Sequence, residues 1–226
     1  MTISLCMIVK NEEAVIGRCL DTVRDIADEI ILVDTGSTDR TVDIAKKYTN
    51  SIYHFPWCDD FSAARNYAFS KARMDYQMWL DADDVIEPED RAKFLEFKQH
   101  MPDADMIMMP YHTAFDQNGR PVFTCYRERL MRRSFGFRWA GAVHEAIAPA
   151  GKVVYSDIAV CHRKVQVNEP GRNLRILENQ LRRDGTLEPR MRFYFGRELH
   201  DAGRDEEAAE QLEIFLREPD AWIENR

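Results

Sequence analysis

The chain has 226 residues, 45% of them hydrophobic and 31% charged, which is the ordinary balance of a globular protein in water. Its formal net charge of −8 argues against a general nucleic-acid binder, because such proteins normally carry a basic domain. No apolar run approaches the roughly 18 residues of a membrane span, so we expect neither a transmembrane segment nor a signal peptide. The five cysteines show no C-x-x-C spacing, which favours reduced thiols in a cytoplasmic protein.

Strands and helices alternate in the first part of the chain. Apolar runs predict strands over residues 3–9, 29–33, 51–55 and 76–80, with helical periodicity between them. This order predicts right-handed βαβ units and a mostly parallel sheet, an α/β fold. The loops after parallel strands lie at one edge of the sheet, where such folds bind ligands. We therefore expect Asn11, Asp34 and Asp81 to meet there, although neither a G-x-G-x-x-G nor a Walker sequence is present.

The fourth predicted strand ends in three carboxylates, Asp81, Asp83 and Asp84. Neighbouring acids repel one another, and Mg²⁺ or Mn²⁺ shared with a substrate diphosphate would compensate that repulsion. The alternative is a solvated turn whose acids favour the N-terminus of a helix that begins near Pro88. The residues alone leave both readings open.

The pattern changes after about residue 100. The turn sequence 116–119 precedes a strand over 122–131, so the second half is predicted to be mixed or antiparallel. Arginines accumulate between residues 120 and 138, which suits either phosphate binding or a solvated strand face. Aromatic residues and glycines then lead to the pair His144 and Glu145, and a strand over 153–160 precedes His162.

The composition becomes helical and highly charged from about residue 169. Helices are predicted over 173–183, 190–202 and 206–217, and residues 220–226 resemble the start of another helix. We expect a domain boundary near residue 166, with a sheet domain over 1–165 and a small helical domain over 166–226.

Taken together, the motifs resemble a family 2 glycosyltransferase with the GT-A, Rossmann-like sheet of nucleotide-diphospho-sugar transferases. The resemblance covers roughly residues 1–165 and rests on five segments in that family's order: Met7–Glu13, Val33–Asp39, Ala64–Asn66, Leu80–Asp84 and Val143–Glu145.

The resemblance implies a nucleotide-diphosphate sugar donor, usually linked to UDP, and Mn²⁺ or Mg²⁺ as cofactor. By motif position, it assigns donor contacts to Lys10, Asn11, Glu12, Asp34, Arg65, Asp81 and Asp83. It assigns the metal to Asp83 with help from Asp81 and His162, and the general base to Glu145. Thr35 departs from the pattern, since the family often has a second acid there, and the identity of the nucleotide becomes less certain.

Residues 190–217 resemble one tetratricopeptide repeat, with Arg192 in place of the first aromatic residue. Glycosyltransferases with such an appendage include some that modify peptides and proteins, among them cysteine-modifying bacteriocin enzymes. The tail is therefore expected either to present a peptide-like acceptor or to serve as a packing brace, and it could also mediate a homo-oligomer. A single repeat cannot bury both faces, so the natural chain could continue past residue 226.

Direct displacement at such a site would invert the anomeric centre of the sugar, and we expect the acceptor to be a hydroxyl or thiol on a peptide, protein or saccharide. Two other readings are kept: a peptide-binding scaffold with a vestigial sheet domain, and an enzyme for glycan or lipid-linked saccharide acceptors. The intact acids and Glu145 argue against the scaffold.

Overall fold

A computed structural model describes residues 1–165 and 169–218. By contacts the chain divides into two units. The first comprises Met1–Cys58, Ala63–Trp139 and Ala146–Gln166. The second comprises Asp59–Ser62, Ala140–Glu145 and the described part of Val167–Arg226. The predicted boundary near residue 166 and the residues 220–226 lie outside the described residues, so the two predicted domain ranges stay a prediction.

The first unit is built on a mixed sheet, and the described part of the second includes the three helices between residues 172 and 217. The strands are β1 (Ile3–Val9), β2 (Glu29–Asp34), β3 (Ile52–His54), β4 (Tyr76–Trp79), β5 (Asp84–Val85), β6 (Met106–Phe115), β7 (Pro121–Arg132), β8 (Val153–Tyr155) and β9 (Val160–His162). The helices are α1 (Ile16–Val23), α2 (Thr41–Ala45), α3 (Phe61–Lys71), α4 (Pro88–Gln99), α5 (Arg172–Asp184), α6 (Pro189–Asp201) and α7 (Asp205–Arg217), with a 3-10 turn at Arg133–Phe135.

The sheet runs in the order β3-β2-β1-β4-β7-β6-β9-β5, and β8 also pairs with β6. The first four strands in this order are parallel, as the βαβ alternation predicts. The remaining half includes the antiparallel pairs β4–β7 and β6–β7. An α/β fold with a mixed second half is therefore confirmed.

Burial explains why the first strands form. All six residues of β2 are buried, which is typical of a parallel strand covered on both faces. Helix α1 buries Ile16, Cys19, Leu20 and Val23, the apolar positions of its predicted stripe. The carboxyl ends of β1, β2 and β4 consequently lie at the same edge of a rigid sheet.

The turn between β6 and β7 forms as predicted. The carboxylate of Asp116 accepts hydrogen bonds from the backbone N–H groups of Asn118 and Arg120, at 2.9 and 2.8 Å. Gly119 adopts a φ of 77°, a left-handed conformation that favours glycine.

Two predictions of detail are wrong. The strand expected over 153–160 is two strands, because the hydroxyl of Ser156 accepts the N–H of Ile158 and closes a turn between them. Helix α2 ends at Ala45, whereas the sequence pattern after β2 predicts a helix that continues through Tyr48. The arginine-rich stretch, for which phosphate binding and a solvated strand face were both open, includes arginines that pair with acids of the chain: Arg127 with Glu128, and Arg132 with Asp103 and Asp105.

In the second unit, α5 ends at Gly185, whose φ of 73° is a left-handed C-cap. Helices α6 and α7 pack against each other, and Gly196 faces Leu212 where they approach closely. None of the helices in residues 1–165 and 169–218 is long and apolar enough to cross a membrane.

Candidate functional site

The first loop at the sheet edge is tied to the second through Asn11. This residue has a left-handed backbone with φ of 56°, a conformation that asparagine tolerates better than most residues. Its Oδ1 accepts the N–H of Thr38 at 2.7 Å, and its own N–H donates to the Ser37 hydroxyl at 3.0 Å. The loops after β1 and β2 are thus held together, while the preceding Lys10 is exposed.

Asp34 ends β2 and organises the second loop. Its carboxylate accepts hydrogen bonds from the N–H groups of Gly36 and Ser37, at 3.2 and 3.1 Å. The side chain of His54 lies 3.7 Å away. Asp34 therefore lies at the carboxyl edge, as predicted, and its carboxylate accepts hydrogen bonds that shape its own loop.

Glu12 lies in the electrostatic field of the acids that follow β4. Burial, together with the negative charges of Asp83 and Asp81, raises the pKa of Glu12 to about 7. Its N–H donates to the Thr41 hydroxyl at 2.6 Å. The first loop and the acidic loop are therefore close enough to interact, as expected for one site.

Asp81 forms an ion pair with Arg65 of α3, with 2.7 Å between Oδ1 and Nη2. Burial alone would raise the pKa of Asp81, but the Arg65 guanidinium holds it below its ordinary value. The Arg65 guanidinium also lies 4.9 and 4.8 Å from the ring centroids of Trp79 and Trp139. Asn66 fixes the second ring, since it exchanges two hydrogen bonds of 3.0 Å with the Trp139 backbone.

Asp83, Asp84 and His162 form a cluster that could hold a metal ion, with one ligand atom from each within 4.8 Å of the others. Strand pairing creates it, because Asp84 of β5 lies opposite His162 of β9. The Nδ1 atom of His162 lies 3.3 Å from Asp83 and 3.1 Å from Asp84. Burial alone would lower the pKa of His162, but hydrogen bonds to the two carboxylates raise it to about 10.

Asp84 is fully buried and is supported by groups that the sequence reading missed. Arg129 of β7, also fully buried, pairs with it at 3.2 Å, and the Tyr111 hydroxyl donates to it at 2.8 Å. The Arg129 guanidinium lies 3.7 Å from the centroid of Trp79. The sequence did hold one signal for this contact: Arg129 directly precedes the apolar pair Leu130 and Met131. A charged residue in such a buried strand requires a partner of opposite charge.

The cluster fits a divalent cation of the Mg²⁺ or Mn²⁺ type. Carboxylate oxygens are the ligands these ions prefer, and an imidazole suits Mn²⁺ as well. The acids and the imidazole converge from different strands, and Arg129 and Tyr111 orient Asp84 in the way that outer partners orient metal ligands. The predicted ligands Asp83 and His162 come together here, whereas Asp81 is engaged by Arg65.

The predicted base Glu145 belongs to the second unit, in the segment Ala140–Glu145. Its neighbour His144 has a left-handed φ of 50°, and its Nε2 atom forms a 3.0 Å hydrogen bond with Glu198 of α6. Burial lowers the pKa of His144, in spite of the charges of Glu198 and Glu145.

An acid-lined carboxyl edge on a sheet with parallel and antiparallel halves is the arrangement of GT-A sugar-nucleotide transferases. The profile of Glycosyl transferase family 2 matches residues 4–148, well over half of the chain. The chain belongs to this family.

Two curated relatives align over different extents. A TPR repeat-containing protein of Synechococcus elongatus is 50% identical over 145 residues, which are 64% of this chain and 35% of that protein. The SPbeta prophage-derived glycosyltransferase SunS of Bacillus subtilis is 31% identical over 227 aligned positions, covering 93% of this chain and 52% of SunS. The chain thus spans between about a third and about half of the length of these relatives.

Solved structures confirm the fold. S. aureus TarS 1–349, also solved with UDP-GlcNAc, aligns with a TM-score of 0.53 and 16% identity over 88% of this chain and 71% of TarS. Glucosyl-3-phosphoglycerate synthase from Mycobacterium tuberculosis, solved with Mg²⁺ and UDP, gives 0.54 and 16% over 83% of this chain and 80% of that one. At such identities the likeness establishes the GT-A fold alone.

Proposed function

We propose that the protein is an inverting, divalent-metal-dependent glycosyltransferase that moves a sugar from a UDP-sugar to a hydroxyl or thiol acceptor. The observation that carries the proposal is the convergence of Asp83, Asp84 and His162 beside the Asp81–Arg65 pair. Family membership and solved relatives that hold UDP with Mg²⁺ or Mn²⁺ support it.

The donor would lie along the edge formed by the loops after β1, β2 and β4. Lys10, Asn11, Glu12 and Asp34 would hold the nucleoside, since hydrogen bonds already fix Asn11 and Asp34 in defined loops. Asp81 would accept a ribose hydroxyl, and Arg65 keeps its carboxylate ionised and oriented. UDP is the expected nucleotide, although Thr35 occupies a position where the family often has an acid.

Asp83 and His162, together with Asp84, would hold Mn²⁺ or Mg²⁺, while Asp81 remains paired with Arg65. When bound, the cation supplies Lewis-acid neutralisation of the leaving diphosphate. Arg129, paired with Asp84 at 3.2 Å, holds that carboxylate in place.

Glu145 would act as the general base. Its carboxylate takes the proton from the acceptor oxygen or sulfur as that atom attacks the anomeric carbon. The bond from that carbon to the diphosphate breaks as the new bond forms, which inverts the anomeric centre. A correctly placed base contributes about 10²–10⁴-fold to the rate.

The acceptor is proposed to be a peptide, protein or saccharide, and water is its simplest substitute in an assay. The alternative of a vestigial sheet domain predicts no turnover at all. The metal-site geometry favours the enzyme, because a non-catalytic sheet would not require an acid–histidine cluster that a buried arginine supports.

The decisive experiment is calorimetric titration of UDP with and without Mn²⁺. In wild-type protein we expect UDP affinity to rise at least about tenfold with Mn²⁺, because Asp83 and His162 would share a bound cation with the diphosphate. Asp83→Ala should remove that rise without unfolding the protein, and His162→Ala should reduce it by less. Asp157→Ala is the matched control, because its side chain is 87% exposed. Unchanged Mn²⁺-dependent UDP affinity in Asp83→Ala contradicts the proposal.

A further inference from the structure

Helix α6 of the second unit contacts the short segment that ends at Glu145. Glu198 of α6 accepts a hydrogen bond from Nε2 of His144 at 3.0 Å. The Tyr194 ring stacks on the His144 imidazole, with centroids 3.9 Å apart and planes 11° from parallel. Arg190 donates to the backbone carbonyl of His144. A single helix therefore binds this residue through its ring and its backbone.

These contacts stabilise a backbone that is otherwise unfavourable. A φ of 50° is uncommon for a residue other than glycine, and such conformations persist only where their surroundings fix them. Strained backbone of this kind concentrates at functional sites. His144 adopts this conformation immediately before the proposed base.

Glu198 is itself fixed from a second side. The Oε1 atom that binds His144 also accepts a hydrogen bond from Nδ2 of Asn173 in α5, at 2.9 Å. The Glu198 side chain is 22% exposed and that of His144 is 32% exposed, so water competes only partly for these bonds. The position of the histidine is consequently set by two helices.

The same segment packs closely on α6 at Gly141. This glycine has a φ of 101°, and a Cβ placed there would lie 3.0 Å from the terminal methyl of Met191. The N–H of Phe61 donates to the carbonyl of Ala142 at 2.9 Å, which fixes the middle of the segment. The segment is thus held along its length and not at His144 alone.

We infer that Glu198 is a positioning residue for the general base, and that the helical extension completes the catalytic segment through it. The inference rests on the proposed role of Glu145. His144 and Glu145 share a peptide bond, and Arg190 binds the carbonyl of that bond. Fixing His144 therefore fixes the backbone from which the Glu145 side chain extends. A base displaced by about 1 Å loses on the order of 10²-fold in rate.

The test measures UDP release from UDP-glucose or UDP-N-acetylglucosamine with Mn²⁺, with water as acceptor, well below the melting temperature of each variant. Glu198→Ala should lower kcat by about 10- to 100-fold while KM for the donor stays within about twofold, because only the base is displaced. Glu198→Gln keeps an oxygen that can accept both hydrogen bonds, and it should restore kcat to within about threefold of wild type. Glu213→Ala is the control, since Glu213 is an exposed residue of α7, 66% accessible.

A double variant separates positioning from general destabilisation. Glu145→Gln removes the base, so adding Glu198→Ala to it should lower kcat no further. The inference is overturned if Glu198→Ala lowers kcat by the same factor in the Glu145→Gln protein as in wild type. It is also overturned if Glu198→Ala alone leaves kcat at the wild-type value. Two other results would instead contradict the proposed function. One is that the wild-type protein releases no UDP from either donor, and the other is that Glu145→Gln turns over as fast as wild type.

Discussion

Three carboxylates follow β4 closely in sequence: Asp81, Asp83 and Asp84. Each has a different partner for its negative charge, which reduces the repulsion among them. Asp81 is neutralised by Arg65, and Asp84 by the buried Arg129. Among the residues that the structure describes, Asp83 forms an ion pair with His162 and with no arginine or lysine. Its charge is thus the one best placed to be neutralised by a bound cation, whereas the other two already have permanent partners.

This division predicts opposite outcomes for two similar substitutions. Asp84→Asn should lower the free energy of unfolding by about 3–5 kcal/mol, because it leaves the fully buried Arg129 charge without its partner. Asp83→Asn should change stability by less than about 1 kcal/mol while it removes Mn²⁺-dependent UDP binding. Urea unfolding followed by circular dichroism measures both. Equal stability of the two variants would show that the Arg129–Asp84 pair does not support the site.

At the scale of elements, the sequence allowed the parallel half of the sheet and its ligand edge to be predicted. Continuous apolar runs identify buried strands, and the rule that parallel strands end at one edge then brings Asn11 and Asp34 together. The helices α1 and α5–α7 were also predictable, because 3.6-residue periodicity is a local property of the chain.

The rest of the site depends on pairing between distant segments. Strand β5 has only two residues, too few for a periodic signal, yet its register with β9 places Asp84 opposite His162. Similarly, nothing local in β7 indicates that Arg129 lies against Asp84, 45 residues away in sequence. His144 and Glu198 are 54 residues apart in sequence, so their contact could be predicted only once the packing of α6 was known.

Two glycines in helices provide a matched prediction about packing. Replacing a helical glycine by alanine normally stabilises a protein by about 0.5–1 kcal/mol. A Cβ at Gly17 of α1 would meet Ile44 at an ordinary 3.6 Å, so Gly17→Ala should follow that rule. A Cβ at Gly196 of α6 would lie 2.6 Å from Cγ of Leu212, so Gly196→Ala should destabilise by about 1–3 kcal/mol.

Thermal or urea unfolding of the two variants in parallel checks this prediction. We expect the free energy of unfolding to rise in Gly17→Ala and to fall in Gly196→Ala. Because helix propensity favours alanine at both sites, the opposite signs would separate the effect of helix packing from that of propensity. Stabilisation by Gly196→Ala would mean that α6 and α7 do not approach as closely as described.

For the molecule as a whole, stability against acid depends on every carboxylate whose pKa differs between the folded and unfolded states. The chain contains 39 acidic residues and a formal net charge of −8, so acid titrates many groups at once. Glu29 is a buried carboxylate that connects separate segments. It accepts hydrogen bonds from the Ser4 hydroxyl at 2.6 Å and from the N–H and Nε of Arg73, at 3.0 and 2.6 Å.

These bonds give a defined pH dependence. Burial alone would raise the pKa of Glu29, but the hydrogen bonds from Ser4 and Arg73 lower it below its ordinary 4.5. Because the folded-state pKa is lower than the unfolded one, the stabilisation is complete above about pH 4.5 and is lost as the pH falls through the folded-state value. Glu29→Gln should therefore reduce the free energy of unfolding by about 1.5–3 kcal/mol at pH 7, and by much less near pH 3.

Urea unfolding of wild type and variant between pH 3 and pH 8 measures the difference directly. Glu96→Gln is the control, because Glu96 is exposed, and its difference from wild type should stay near zero throughout. A Glu29→Gln deficit that remains constant down to pH 3 would show that the residue contributes through its shape and neutral hydrogen bonds. A deficit that shrinks as the pH falls below about 4.5 assigns the stabilisation to the ionised carboxylate that joins β1, β2 and the segment after α3.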